Sequence, residues 1–527
     1  MKKNLRYKIF IFIFFGLLTV FSAALFQANS PRDIYFFTDI LILPAMYQDI
    51  IDGFPFSGWS FTPSPYFFPD LILYFPVRLL SGSFQASMYV YGMVQIFLLF
   101  SLSVFIVRSM FTKTVFLFSA ASGYVLISVC IILISEFRPF AIILIPTVHF
   151  GAYLILLACI LYWLRNFSAG SVIPVLTVCA GVSDRLFHVI FSIPFALSCI
   201  FLWRYDSSSE TEKSKPSFIR EFQAWKPAVR SILLSVLISV LVYNGLKSLI
   251  KLEAVSRVSP DISWKLFVQS ILSLYSKGGI SAKILFAGFI PAYTFCFIYY
   301  IKKKEYLQRT VRFFLLFSLI SVPVSLSAPV AAGTFLDEYS FRYSVFSFFL
   351  LYCSFFLVLY VQFRFYLRRT KRRVLETLAR ISAYQFIFFS ILMEGILIFM
   401  LDWERKMRDN FSYVPDEVKC AESILGNKIA VYGLSDYWNA KYFTLFSENR
   451  LRVYQIGYQD LRKNHTLNNK YWYEKGKSSR FGNPEYKFII TERLSEVLIE
   501  KKWGRPDSVH LCSGKNVWIY RKGISLD

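Results

Sequence analysis

Charged residues are scarce in this chain of 527 residues. Asp, Glu, Lys and Arg together make up 17% of the sequence, 55% of the residues are hydrophobic, and the mean hydropathy is +0.47. An ordinary soluble domain carries about 25% charged residues. The composition therefore excludes a soluble globular protein and predicts a polytopic membrane protein. We expect it to lie in the plasma (inner) membrane.

Histidines and several motifs of soluble enzymes are also lacking. The four histidines are far apart, and the sequence contains no HExxH pattern, no Walker-type glycine loop and no GxSxG. Acidic residues number 34 against 58 basic ones, which gives a net charge of +24. Most basic residues lie in short loops between apolar runs and in the C-terminal part of the chain. We therefore attribute the charge to membrane topology and expect no nucleic-acid binding.

Apolar runs long enough to cross a membrane recur along the first 400 residues. A transmembrane helix needs about twenty such residues, and the first run is too long for a signal peptide, so it predicts an uncleaved span. Two of the runs, 170–183 and 186–203, could count as one crossing, but two short crossings fit their length better. The eleven predicted spans are 8–27, 84–107, 114–135, 143–164, 170–183, 186–203, 231–250, 284–301, 312–331, 344–366 and 380–401.

Loop charges predict the orientation of these spans. With a cytoplasmic N-terminus, every strong basic cluster between spans falls on the cytoplasmic side, as the positive-inside rule requires. The segments 28–83 and 251–283 and everything after residue 401 are then extracytoplasmic, and 251–283 is expected to hold an interfacial helix. The cytoplasmic loop 205–229 is polar and mixed in charge, and is expected to be a flexible linker.

A change of composition after residue 401 predicts a second domain. Residues 1–401 form the transmembrane domain, and residues 402–527 are polar, with short alternating runs typical of strands between amphipathic helical stretches. The predicted fold is thus a mainly α, polytopic membrane helical bundle of about eleven transmembrane helices plus interfacial helices, with a small C-terminal α/β domain. Cys420 and Cys512 are the only cysteines outside the predicted spans, and they either form a disulfide or remain two buried thiols.

The first outer segment, 28–83, is the most informative part of the sequence. Four acids, Asp33, Asp39, Asp49 and Asp52, fall within twenty residues of an otherwise apolar stretch. Apolar residues at helical spacing predict a helix over 38–51 that lies along the membrane surface. Glycines and prolines then break regular structure, and a second helix is expected from about residue 66 to the turn at 81–83.

This layout resembles the first periplasmic loop of the GT-C glycosyltransferases, in particular the aminoarabinose-transferase and protein O-mannosyltransferase branches. In those enzymes an Asp follows the first span, a helix lies along the membrane, and a Pro-Pro-Leu-Tyr-like motif opens the next helix. Asp39 takes the acidic position here, followed by Ile40 instead of the common Glu, and Ser64-Pro65-Tyr66-Phe67-Phe68 stands in place of the motif.

The resemblance implies an inverting enzyme that takes a sugar from a polyprenyl-phosphate donor. The acceptor would be an extracytoplasmic glycan, lipid or protein, and Asp39 would be the catalytic base or its metal ligand. Some branches of the family use a divalent cation between carboxylates and donor phosphate. Asp39 with Asp33 or Glu338 could hold one, although nothing in the sequence demands it.

Three further places put ionisable groups near the outer ends of predicted spans, where such groups usually face a protein-lined cavity. The first holds Arg138 and His149, which could bind a phosphate oxygen; the alternatives are an ion pair of Arg138 with Glu136 and a histidine satisfied by a helix carbonyl. The second is the turn with Asp184 and Arg185, which take the place of a family turn that faces the active-site cavity. These two could bind donor phosphate or simply neutralise each other.

The third place holds Glu338 and the pair Arg342-Tyr343, just before the tenth predicted span. An Arg-Tyr pair at the start of a late span resembles that of many GT-C members. Because guanidinium offers a planar fork of donors and keeps its charge, it suits a phosphate. Arg342 is thus the best candidate to bind the donor phosphate, with Tyr343 in support, and interfacial anchoring is the alternative.

Two other classes of function fit the composition. A transporter or flippase of lipid-linked saccharides would be expected to show inverted repeats and broken helices near the midplane, and neither is evident in the sequence. A non-catalytic membrane anchor for the C-terminal domain would need a single span and no acid-bearing outer segment. Glycosyl transfer is therefore the leading hypothesis.

Overall fold

A computed structural model gives the fold. The eleventh predicted span, 380–401, lies outside the described residues except for positions 385 and 388, which are helical. The structure describes residues 2–111, 116–208, 216–253, 257–277, 279–370, 385, 388, 402–426, 431–448, 450–474 and 484–526.

Long helices dominate residues 2–370. Seven of them are long and apolar enough to cross a membrane, and three shorter apolar helices cover 150–166, 172–183 and 188–204. The chain is thus a multi-pass membrane protein by the length and composition of its helices. The long and short helices of this part are α1 (Lys2–Asn29), α5 (Phe84–Met110), α6 (Phe116–Glu136), α7 (Phe150–Asn166), α8 (Val172–Ser183), α9 (Ile193–Ser208), α10 (Pro216–Leu249), α12 (Ile280–Lys303), α13 (Arg309–Ala331) and α14 (Val345–Thr370).

Burial separates the inner and outer faces of this bundle. On α10, Leu233, Leu237 and Leu241 lie on one face, at intervals of four residues, and each is more than half exposed. Deeper in the bundle, the indole rings of Trp163 and Trp225 lie 5.3 Å apart and are both fully buried. An exposed apolar face of this kind is what a helix presents to lipid, since hydrocarbon contacts Leu without the penalty that water imposes.

Two sequence predictions about these helices are wrong. The loop 205–229 is largely helical, because α9 extends to Ser208 and α10 begins at Pro216, whose missing N–H suits the first turn of a helix. The fourth predicted span, 143–164, is not helical from its first residue. A 3₁₀ segment covers Arg138–Leu144, and the α-helix starts only at Phe150. A helix is present within 251–283 as expected, α11 (Pro260–Lys277), and its position along the membrane surface stays a prediction.

The opening segment between α1 and α5 forms three helices: α2 (Asp33–Phe36), α3 (Ile42–Ile51) and α4 (Ile72–Ser81). Helix α3 is shorter at its N-terminus than the predicted helix 38–51, which leaves Asp39 in a turn before it. Between α3 and α4, strand β1 (Ser60–Phe61) pairs in parallel with β2 (Lys251–Leu252). The opening segment is therefore paired with the segment that precedes α11.

Residues 402–526 form a mixed sheet with helices around it. The helices are α15 (Trp403–Phe411), α16 (Asp416–Leu425), α17 (Tyr437–Phe446) and α18 (Glu496–Trp503). The strands are β3 (Val431–Ser435), β4 (Leu451–Gln455), β5 (Tyr486–Ile490), β6 (Ser508–Cys512) and β7 (Lys515–Ile524). Their order is β4-β3-β5-β7-β6, with β4, β3 and β5 parallel and β7 and β6 antiparallel.

A disulfide joins Cys420 on α16 to Cys512 at the end of β6, with their Cα atoms 5.5 Å apart. Of the two alternatives left by the sequence, the disulfide is the one present. It ties α16 to the edge strand of the sheet.

Buried charges join the C-terminal region to the opening segment. The Arg452 guanidinium on β4 lies 2.8 Å from a carboxylate oxygen of Asp52 and 3.8 Å from one of Asp49, and all three side chains are at least 97% buried. The Trp472 indole N–H donates to Asp49 at 2.8 Å, and the Asn469 amide donates to it at 3.0 Å. The sheet and the opening segment thus lie on the same side of the bundle.

Candidate functional site

Six polar residues from four separate segments, one of which is the opening segment, meet at one end of the bundle. Their burial is notable, because four of them can ionise near neutral pH or carry a permanent charge, and such groups are rare at the edge of a membrane unless they serve a site. We call this group the polar cluster. Its members are Tyr66, Asp70, His149, Asp184, Arg342 and Tyr343.

The centre of the polar cluster is a bonded pair of His149 and Asp184. The His149 Nδ1 lies 2.7 Å from an Asp184 carboxylate oxygen, and the two residues are only 7% and 3% exposed. Asp184 also accepts hydrogen bonds at 3.0 Å from the Ser64 hydroxyl and from the backbone N–H of Leu186. Burial alone would raise the pKa of Asp184, but His149 and these donors hold it below its ordinary value. Asp184 is therefore an anion that orients the imidazole.

The backbone that carries His149 is strained. Thr147, Val148 and His149 have φ angles of 68°, 56° and 74°, in the left-handed region that non-glycine residues rarely adopt. For the β-branched Val148 this conformation is especially unfavourable. Residues held in this way each cost of order 1–3 kcal/mol and tend to occur at functional sites. This backbone conformation places His149 at the N-terminal end of α7, where its ring faces Asp184.

Asp70 fixes this strained segment. One of its carboxylate oxygens accepts from the backbone N–H of Thr147 at 3.2 Å and from the Tyr91 hydroxyl at 3.0 Å. The other lies against Gly151, where an added Cβ would be only 2.3 Å from it. The carboxylate thus sits at the first turn of α7, where the helix dipole favours negative charge. Burial nevertheless raises the pKa of Asp70 to about 6.

Arg342 is the cation of the polar cluster, and among the described residues its guanidinium has a single hydrogen-bond partner, the Tyr343 hydroxyl. It lies half-buried in a 3₁₀ helix over Glu338–Tyr343, and Tyr153 holds this backbone by donating to the carbonyls of Arg342 and Tyr343. The guanidinium donates to the Tyr343 hydroxyl at 3.2 Å and lies 4.9 Å from the centre of that ring. Within the described part of the chain, no carboxylate lies within 4 Å of it. Arg342 can therefore bind an anion.

Aromatic rings bring Arg342 and His149 together. The His149 ring lies 5.0 Å from the Tyr343 ring and 5.6 Å from the Tyr66 ring. Tyr343 therefore contacts the guanidinium and the imidazole at once. Of the predicted site residues, the structure brings together His149, Asp184, Arg342 and Tyr343, although they belong to three separate places in the sequence.

Five predicted site residues lie outside the polar cluster: Asp33, Asp39, Arg138, Arg185 and Glu338. Arg138 forms an exposed ion pair with Asp33 at 3.2 Å. The side chain of Glu136, its partner in the alternative from sequence, lies outside what the structure describes. Arg185 is exposed, and its guanidinium lies 3.7 Å above the Tyr243 ring. Glu338 is exposed in the first turn of the 3₁₀ helix.

Asp39 lies at the junction between the opening segment and the C-terminal sheet. It is exposed, and its carboxylate accepts a hydrogen bond from the Tyr437 hydroxyl at 2.6 Å. The backbone next to it is held by Thr38, whose hydroxyl donates to the Trp438 carbonyl at 2.7 Å. Among the described residues, no hydrogen bond or ion pair joins Asp39 to the polar cluster. Its predicted role as the base stays a prediction.

Sequence reasoning missed Lys441 and Asp70. Lys441 is fully buried, donates to the Leu467 carbonyl at 3.2 Å, and lies 4.3 Å above the Tyr437 ring. Burial lowers its pKa to about 7. Nothing in a short amphipathic helix signals this burial, which depends on the opposing opening segment. Asp70, by contrast, could have been found as an acid inside an apolar helical run.

A divalent cation does not fit the described residues well. In the described ranges, no group of three or more His, Cys, Asp or Glu side chains is arranged to hold a metal ion. The predicted ligands Asp39, Asp33 and Glu338 contact different parts of the protein or are exposed, as described above. We therefore assign no step to a metal.

The chain matches no protein family model, no curated protein and no solved structure.

Proposed function

We propose that the protein is a membrane-embedded inverting glycosyltransferase that moves a sugar from a polyprenyl phosphate to an extracytoplasmic acceptor. The observation that carries the proposal is Arg342, a half-buried guanidinium whose donors face no carboxylate within the described residues. It lies at the end of the bundle, where a lipid-borne phosphate would reside. The layout of the opening segment, which resembles that of the GT-C enzymes, supports the same class.

The reaction needs a cation at the leaving group. An acceptor hydroxyl attacks the anomeric carbon, the bond from that carbon to the phosphate oxygen breaks, and the electron pair leaves with the polyprenyl phosphate. Arg342 stabilises this anion through charge-assisted hydrogen bonds. No acid is needed for the leaving group, because a phosphate departs as a stable anion.

The proposal includes the orientation of the chain in the membrane. The basic loops favour a cytoplasmic N-terminus, eleven spans and an extracytoplasmic C-terminal domain, and the Cys420–Cys512 disulfide suits an oxidising compartment. Reporter fusions at Gln308, in the loop between α12 and α13, and at Gly82, in the turn before α5, test it. A periplasm-active reporter is expected to work at Gly82 and to fail at Gln308, and the reverse result would overturn the orientation.

Binding of the donor phosphate tests the role of Arg342. Arg342→Ala in lipid nanodiscs should bind polyprenyl phosphate about 10- to 100-fold more weakly, since a charged hydrogen bond contributes about 1.5–3 kcal/mol. Arg257→Ala, which removes an exposed arginine from the neighbouring outer segment, should bind as the unaltered protein does. Equal binding by both variants would refute the assignment.

Turnover tests the reaction class. Purified protein is supplied with a panel of polyprenyl-phosphate sugars and a membrane extract as the source of acceptor, and released polyprenyl phosphate is measured. Release together with labelled product is the expected result, with and without EDTA. Movement of the labelled lipid across the bilayer without release would instead identify a flippase.

A further inference from the structure

We infer that His149 is the group that accepts the proton from the acceptor hydroxyl, and that Asp184 is its positioning residue. This rests on the proposed transfer reaction and adds to it the identity of the base. The inference starts from the bonded pair of His149 and Asp184, whose imidazole nitrogen and carboxylate oxygen are 2.7 Å apart.

The polarity of that bond decides which nitrogen of His149 is available. The Asp184 carboxylate is an anion that also accepts from Ser64 and Leu186, so it takes a hydrogen bond from Nδ1–H. The imidazole then carries its lone pair on Nε2. Within the described residues, Nε2 makes no hydrogen bond, so a substrate hydroxyl can occupy that place. An imidazole oriented by a carboxylate in this way is a general arrangement for a base.

The position of His149 relative to Arg342 is the second argument. Tyr343 contacts both groups, with 5.0 Å between its ring and the imidazole and 4.9 Å between its ring and the guanidinium carbon. A sugar phosphate bound to Arg342 therefore places its anomeric carbon near the imidazole, within the size of one sugar. Asp39 has no such relation to Arg342, because its carboxylate is bonded to Tyr437 of the C-terminal region.

The strained backbone is the third argument. A histidine that only filled space would not require three consecutive residues with positive φ and a buried carboxylate, Asp70, to hold them. Despite its energetic cost, this backbone conformation holds the imidazole in one orientation. Preorganisation of a catalytic group is the usual reason for such strain.

The proton and the electrons balance in this scheme. The hydroxyl proton of the acceptor moves to Nε2 of His149 as the new bond to the anomeric carbon forms. The electron pair of the broken bond leaves with the phosphate, held by Arg342. The imidazolium, stabilised by Asp184, then releases its proton to water, which restores the neutral imidazole for the next cycle.

Chemical rescue tests the inference. We expect His149→Ala to lower the rate of polyprenyl phosphate release by about 10²- to 10⁴-fold, while its binding of polyprenyl phosphate is unchanged. Added imidazole should then raise the rate of this variant at least tenfold. A structural histidine would give no rescue. His510→Ala, on the edge strand β6, is the matched control and should keep full activity, with or without imidazole.

The variant Asp184→Asn distinguishes a role in orienting the His149 imidazole from a role in binding the donor. It should lower the maximal rate by a similar factor with little change in the KM for the donor, and imidazole should not rescue it. If His149→Ala folds and turns over normally while Asp39→Asn is inactive, Asp39 is the base and the inference is wrong, although the proposed function stands. If the unaltered protein releases no polyprenyl phosphate from any donor of the panel, both are wrong.

Discussion

Replacing Arg452 by Met should separate the C-terminal region from the opening segment. The change removes the cation that contacts both Asp49 and Asp52, and it leaves their two carboxyl groups in a place where they are at most 3% exposed. Met fills much of the space of the Arg stem, so the main effect is electrostatic. Removing one partner of a buried ion pair typically costs about 3–5 kcal/mol.

The expected loss is large enough to measure. For a unit of about 125 residues, a change of 1 kcal/mol shifts the unfolding midpoint by roughly 4 °C. At pH 8, above the value of about 7 to which burial raises the pKa of Asp49, Arg452→Met should therefore lower the first thermal transition of the detergent-solubilised protein by about 12–20 °C. Limited proteolysis should release a C-terminal fragment earlier in the variant. Arg450→Met is the matched control, because this neighbouring arginine is exposed, and it should leave both measurements unchanged.

A triple variant tests the physical reason. Combining Arg452→Met with Asp49→Asn and Asp52→Asn removes all the charge, and neutral replacements of buried ion pairs are often close to neutral in stability. The triple variant should recover most of the lost stability. If Arg452→Met melts like the unaltered protein, or if the triple variant is no more stable than the single one, buried charge is not what joins these two parts.

Three further predictions concern stability. Cys420→Ser with Cys512→Ser should destabilise the C-terminal region by about 4–5 kcal/mol on the chain-entropy model for the separation of 92 residues, as seen by denaturant unfolding of the protein with and without reductant. Gly151→Ala should lower the stability by about 1–3 kcal/mol through overpacking, because its Cβ would lie 2.3 Å from a carboxylate oxygen of Asp70. Gly245→Ala is the control in the same thermal scan. It should be neutral or slightly stabilising, because no atom lies within 4 Å of the added Cβ. Burial raises the pKa of Asp49 to about 7, above its value in the unfolded chain. The contribution of this group to stability is therefore complete in acid and is lost as the pH rises through 7. Asp49→Asn should flatten this decline in the melting temperature measured between pH 5 and 8.

Local patterns determined the elements of this protein. Apolar runs of about twenty residues predict spanning helices whatever their neighbours, because each backbone polar group in lipid must be satisfied within its own helix. Alternation in the C-terminal region likewise predicts strands, and the described part of that region forms a sheet of five. The sequence failed where the local signal was mixed, as in the polar loop 205–229, which becomes helical from Pro216 because the following apolar helix extends into it.

Only the tertiary structure decided which of the charged residues lie together. Sequence reasoning singled out His149, Asp184 and Arg342 one by one, since an ionisable group at the end of a span is costly wherever it lies. It could not show that the first two are bonded or that Tyr343 joins them to the third, because those contacts link segments up to about two hundred residues apart. It also could not show that Asp49 and Asp52 meet Arg452, because the pairing of buried charges depends on how two distant segments pack, and no local pattern encodes that.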